Sequence, residues 1–170
     1  MINPKELADW LSQEPLLEEI EFKDGGAYIP IETIISKLDL LDKSWGRKNA
    51  FHTIFLDHNG ELWCSGTVEL NVKYSLPLII NNATGSIESW EEINRTITGG
   101  ATFKLDQYAK EGNTHYAAIC LSLCTVSAAQ YIAPCFGKNL NKKTQQEPDS
   151  GNKIFNSIKN ITSHAGAKKS

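Results

Sequence analysis

Cationic side chains in this chain stand singly beside aromatic ones. The pairing recurs at Trp45-Gly46-Arg47-Lys48, Lys73-Tyr74, Phe103-Lys104, Tyr108-Ala109-Lys110 and Phe136-Gly137-Lys138. Such pairs suit single-strand binding, where cations track phosphates and flat rings hold sugars and bases. Lys and Arg decorate any surface and aromatics flank any core, so the signal lies in the collection of pairs.

Catalytic patterns are missing. There is no G-x-x-x-x-G-K-[ST] loop, no G-x-S-x-G, no H-E-x-x-H and no EF-hand loop,. The four cysteines, Cys64, Cys120, Cys124 and Cys135, form no C-x-x-C pair, and no ligand spacing supports a zinc site from Cys64, Cys120, Cys124 and His115,. Cys135 could act as a nucleophile only with a base nearby, and none is visible. His52, His58, His115 and His164 are scattered. Binding without a cofactor, rather than an enzyme activity, is the expectation.

Composition is that of an ordinary globular chain: 170 residues, 41% hydrophobic, 22% charged, net charge −3,. The charge is unevenly spread. Before Trp45 there are four Lys against ten acids, and from Phe136 onward seven Lys against Glu147 and Asp149. An acidic front and a basic back suit head-to-tail self-association or a polyanion partner. The opening Met1-Ile2-Asn3-Pro4-Lys5-Glu6 reads as a helix start rather than a secretory leader, which together with reduced thiols predicts a cytoplasmic protein,.

The elements follow from spacing. Asn3 as cap, Pro4 in the first turn and Glu6 three residues on predict a first helix carrying Leu7, Trp10 and Leu11, ended by Pro15. Asp24-Gly25-Gly26 marks a turn. A second helix starts near Pro30, with Ile31, Ile34, Ile35 and Leu38 at helical spacing. Strands are expected over Asn49–Leu56, across the His58-Asn59-Gly60 turn, and along Leu62, Cys64, Gly66, Val68, Leu70 and Val72, which alternate with polar residues. Leu76–Ala83 reads as a third strand, with Pro77 at an edge or entry. Gly85–Gly112 reads as a loop with a short helix at Ser89–Asn94, and Gly99-Gly100 as a turn.

From His115 to Phe136 there is no charged side chain. A bilayer span has about this length, but Ser122, Thr125, Ser127, Gln130 and Pro134 interrupt it. It reads as a buried core helix whose small residues allow close approach to another backbone. The expected fold is α+β: a three-stranded antiparallel β-meander packed on a long buried helix, preceded by two short helices. It forms one domain over residues 1–143. Residues 144–170 are polar and read as a largely disordered tail, in which Ile154, Phe155, Ile158 and Ile161 could meet a protein partner. No fixed repeat occurs.

Three features resemble the single-strand annealing recombinases of phages and their eukaryotic relatives, the Redβ, RecT and Rad-fifty-two-type superfamily. These are Tyr28-Ile29-Pro30 with the Ile-rich helix and Trp45, the strand Leu62-Trp63-Cys64-Ser65-Gly66-Thr67-Val68, and Ala128-Ala129-Gln130-Tyr131-Ile132 leading to Phe136-Gly137-Lys138-Asn139-Leu140-Asn141. The match covers roughly Gly26 to Lys143. It departs from the family in having no cation on the last helix before Lys138. The resemblance implies rings, arcs or filaments that bind single-stranded DNA and anneal it without ATP. It implies phosphate contacts at Arg47, Lys48, Lys73, Lys138 and Lys142, and at Lys104 in the loop. The alternative is an oligomeric protein-interaction accessory factor without nucleic-acid activity. A third reading is an enzyme with a Cys-based site.

Overall fold

A computed structural model describes residues 3–23, 26–138 and 140. Helix α1 (Pro4–Ser12) begins at a capping box, in which the Asn3 side chain accepts from Lys5 N at 3.1 Å and the Glu6 carboxylate accepts from Asn3 N at 3.4 Å,. Two three-residue strands, β1 (Glu21–Lys23) and β2 (Gly26–Tyr28), pair antiparallel on either side of the expected turn, whose Asp24 and Gly25 lie outside the described residues. Helix α2 (Ile31–Leu41) buries Ile34, Lys37, Leu38 and Leu41.

The main sheet has three antiparallel strands in the order β3 (Gly46–Leu56), β4 (Leu62–Ile80), β5 (Ile87–Lys104). The protein is therefore α+β with a three-stranded antiparallel sheet. The third strand is not where the sequence suggested. Leu76–Ile80 continues β4, and the supposed loop and Ser89–Asn94 helix form β5. Ile93, Thr96, Ile97 and Thr98 favour a strand, and β4 supplies a full-length pairing partner from Trp63↔Lys104 to Ile80↔Ile87. Pro77 is tolerated because β3 ends at Gly46↔Asn71, so beyond that point β5 is β4's one neighbour among the described residues,. The β3–β4 turn uses Gly60 at φ +77°, and the Asp57 carboxylate accepts from the backbone N–H groups of Asn59 and Glu61,.

Helix α3 (Leu105–Lys110) leads to α4 (Tyr116–Ala129). One face of β4, carrying Cys64, Gly66, Val68, Leu70 and Val72, is buried beneath the helices, whereas Leu62, at the start of that alternation, is half exposed. Helix α4 covers this face with Cys120, Cys124, Ala128 and Ala129 and is open on its other side at Ala117 and Ala118. Its closest approach is to Gly99, where an added Cβ would lie 2.1 Å from Cys124 O and 2.4 Å from Ala128 N. Gly99-Gly100 is therefore strand backbone, not a turn. The chain then enters a 3₁₀ turn, Pro134–Phe136, whose Phe136 is buried edge-on to Trp10. Lys37 ties three segments together: its Nζ donates to Glu19 at 2.8 Å and to the Cys135 carbonyl at 2.7 Å. No helix among the described residues is long and apolar enough to cross a membrane.

Candidate nucleic-acid interface

Among the described residues the helices cover one face of the sheet. Along β4 the opposite face carries Trp63, Ser65, Thr67, Glu69, Asn71 and Lys73, because successive strand residues point to opposite sides,. Cross-strand pairing adds Lys104 beside Trp63, Thr102 beside Ser65, Thr96 beside Asn71 and Asn94 beside Lys73. Two of these pairs are hydrogen-bonded through side chains, Ser65–Thr102 at 2.9 Å and Thr96–Asn71 at 2.6 Å. Along β4 and β5 this surface is mostly polar, and no helix among the described residues covers it.

Strand β3 contributes to the same face through a bulge. Lys48 pairs with Glu69, but Phe51 pairs with Thr67, so Asn49 and Ala50 together stand opposite a single residue, Val68. Asn49 sits at φ +49°, a left-handed backbone that Asn tolerates better than most residues,. One extra residue inverts the alternation. Without it Phe51 would oppose Gly66 on the helix side. With it, Phe51, Thr53 and Phe55 oppose Thr67, Ser65 and Trp63 on the open side. The open face thus carries three aromatic rings, Phe51, Phe55 and Trp63, and three lysines, Lys48, Lys73 and Lys104. From the level of Trp63 to that of Lys73 is ten residues, about 33 Å of strand.

The six cations expected to contact phosphate do not form one patch. Lys48 and Lys73 are exposed on the open face. The Lys73 backbone N–H is capped by the Asp42 carboxylate at 2.8 Å, where β3 has run out. Lys104 lies on the same face at the end of β5, not in a loop. It is engaged by Glu61 and lies 5.4 Å from the Trp63 ring centre. Its hydrogen bond to Glu61 raises its pKa. Arg47 opposes Leu70 and so faces the helix side. Its guanidinium stacks 5.3 Å from the Trp45 ring, its Nε is buried without a hydrogen-bond partner among the described residues, and burial lowers its pKa. Lys138 is exposed just past Gly137, itself at φ +103° beside Ile29 and Leu140. It follows the buried Phe136 in the helical layer and does not share the face of Lys48. Lys142 lies outside the described residues.

Phe51 and Phe55 were not singled out from sequence. In β3 both sets of alternating residues include apolar side chains, so period alone does not say which set is exposed. The one readable signal was Asn49, a residue type enriched at positive φ. No group of His, Cys, Asp and Glu side chains among the described residues could hold a metal ion. The thiols of Cys64 and Cys135 are each pushed up to about 11, by burial first. Neither is thereby activated as a nucleophile. Compared with known proteins, the chain matches no family model and no curated protein.

Proposed function

We propose that this protein binds single-stranded DNA along the open face of its three-stranded sheet and anneals complementary strands without nucleotide. The observation that carries the reading is the grouping of Lys48, Lys73 and Lys104 with Phe51, Phe55 and Trp63 on one uncovered face. Lysines neutralise phosphates and release counterions. Rings of this kind stack on bases of any identity, each contributing about 1–3 kcal/mol. Phosphate contacts carry no sequence information, so binding is sequence-neutral. With their phosphates partly neutralised, two complementary strands repel each other less, and bases left open to solvent can pair.

In this reading the protein is a non-enzymatic, cofactor-free homo-oligomer of the single-strand annealing type, acting in the cytoplasm. Lys48 and Lys73 are the principal phosphate contacts. Lys104 contributes once Glu61 releases it. Arg47 supports the start of β3, and Lys138 with Lys142 forms a second cationic point on the helix side. Residues 144–170 serve a protein partner and are dispensable for annealing.

The accessory-factor alternative draws on Glu61 and Glu69, which share the open face and would repel phosphate. Anisotropy of a labelled oligonucleotide separates the two. On the annealing reading, Phe51→Ala with Phe55→Ala weakens binding at least tenfold on every sequence, and Lys48→Ala with Lys73→Ala flattens the salt dependence. A wild-type protein that ignores single strands at low salt leaves the accessory reading.

A further inference from the structure

Two exposed apolar surfaces lie at opposite ends of the sheet, and strand binding on the open face leaves their main-chain edges and their helix-side residues without a role. The first is the outer edge of β3. Among the described residues no strand pairs with it, and Phe51 to Leu56 are all exposed, with Phe51 and Leu56 each at 64%. Natural edge strands are normally blunted by charge, proline or cover. The run Phe51-His52-Thr53-Ile54-Phe55-Leu56 contains no Asp, Glu, Lys or Arg. On the helix side Ile54 and Leu56 remain 48% and 64% exposed. The second surface is the arm formed where β4 and β5 run on past β3. Its far end exposes Leu78 at 62%, Ile79 at 51% and Trp90 at 47%.

The two surfaces carry opposite charge. The arm from Tyr74 to Asn94 holds Glu88, Glu91 and Glu92 and no Lys or Arg. The edge from Lys43 to His58 holds Lys43, Arg47 and Lys48 against Asp57. The outer edge of β5 is also unpaired among the described residues. The arm therefore has both a free strand edge and apolar side chains to offer, and the β3 edge needs both.

We propose that the arm of one copy adds to the β3 edge of a second copy, with β5 residues 87–93 pairing along Phe51–Leu56. The occupant of the edge is thus another copy of this chain. Main-chain hydrogen bonds extend the sheet, the exposed apolar side chains of the arm pack beside those of the edge, and the acidic arm meets the basic start of β3. Because the two surfaces differ, the contact is head-to-tail. It grows into a closed ring or a filament rather than stopping at a pair. Side chains of the open face point out of the sheet plane, so a sheet extended in this way lines up the lysines of successive copies. This deepens the oligomer part of the proposed function. It is tested by particle mass in the absence of DNA, so its failure is distinguishable from a failure of strand binding.

The test uses two full-length variants at exposed positions. The arm variant is Leu78→Glu with Trp90→Glu, and the edge variant is Ile54→Glu with Leu56→Glu. Light scattering at micromolar concentration should give a multi-chain particle for wild type and a single chain for each variant. Mixed in equal amounts, the variants should form a particle of two chains and no larger, because one intact edge accepts one intact arm. A monomeric wild type, an arm variant that keeps the wild-type mass, or a mixture that stays monomeric each overturns the proposal. Circular dichroism checks that the variants fold. Should either fail, hydrogen exchange of the wild type decides. Amides of Phe51–Leu56 and of residues 87–93 should lose protection together on dilution, and exchange that does not depend on concentration refutes the contact.

Discussion

Replacing Gly99 by alanine should be among the most damaging single-methyl changes in this protein, while the same change at Gly100 should be harmless. At Gly99 the new Cβ would lie 2.1 Å from Cys124 O, 2.4 Å from Ala128 N and 2.8 Å from the Ala128 Cβ. Two of these three atoms are backbone, so no side-chain rotation relieves the overlap. Helix α4 must retreat by more than 1 Å to reach ordinary contact, loosening Cys120 and Cys124 against Cys64 and Val68. Overpacking of this kind costs about 1–3 kcal/mol, and more where backbone must move, so we expect a loss of about 3 kcal/mol. At Gly100, on the open face, the nearest atoms would be Gly66 O at 3.5 Å and Thr67 Cγ2 at 3.9 Å, which are ordinary contacts. A tolerated Gly→Ala change restricts the unfolded chain and adds about 0.4–1 kcal/mol of stability. With a urea slope of about 2 kcal/mol/M for a domain of this size, the two variants should differ in midpoint by somewhat under 2 M when followed by circular dichroism. A Gly99→Ala protein within about 0.5 kcal/mol of wild type, or a Gly100→Ala protein equally damaged, would refute the assignment of faces and with it the candidate interface.

The bulge in β3 offers an independent check. Asn49→Gly should be neutral, whereas Asn49→Val forces a β-branched residue to φ +49° and should cost about 1–2 kcal/mol in chemical unfolding. Among the cations, Lys48→Ala and Lys73→Ala should each lower the log–log salt slope of single-strand binding by about 0.7. Lys104→Ala should lower it less, because Glu61 already engages that ammonium. Cys135 has a folded pKa of about 11, raised by burial and opposed by Lys37. A group whose folded pKa lies above its unfolded value stabilises the fold in full below the unfolded value, here about 8.5–9. That stability should fade between about pH 9 and 11, as seen in unfolding curves, and a thiol reagent at pH 8 should label Cys135 only when the protein unfolds.

Much of the fold was legible because its signals are local. The Asn3-Pro4-x-Glu6 cap, the period-two run from Cys64 to Val72 and the Asn59-Gly60 turn each depend on a few adjacent residues, and together they indicated α+β with three antiparallel strands. Strand β5 was hidden because its signals conflict: Glu88, Glu91 and Glu92 with a Gly-Gly pair suggest a solvated loop. Only the length of β4 as a partner and the nearness of α4 to Gly99 explain why a strand forms there. Nor could sequence announce β1 and β2, three residues each and held by one another's hydrogen bonds. Within the candidate interface, Lys48 and Lys73 were readable as cations, but their common face was not. That face depends on the bulge at Asn49, which moves Phe51 and Phe55 beside Trp63, and on pairing between residues far apart in the chain. Arg47 and Lys138 looked equivalent to Lys48 in sequence. Alternation in β3 and the burial of Phe136 separate them in space.

The most direct test of the central claim is a nucleotide-free annealing assay with two complementary labelled oligonucleotides, the intact protein and low salt. Duplex formation should run well above the protein-free rate. Acceleration should be equal for unrelated sequences and should fall progressively as salt rises. Replacing Lys48, Lys73, Phe51 and Phe55 together by alanine, in a protein that still folds, should impair it strongly. Annealing no faster than the protein-free control, or acceleration that survives the fourfold substitution unchanged, would contradict the central claim.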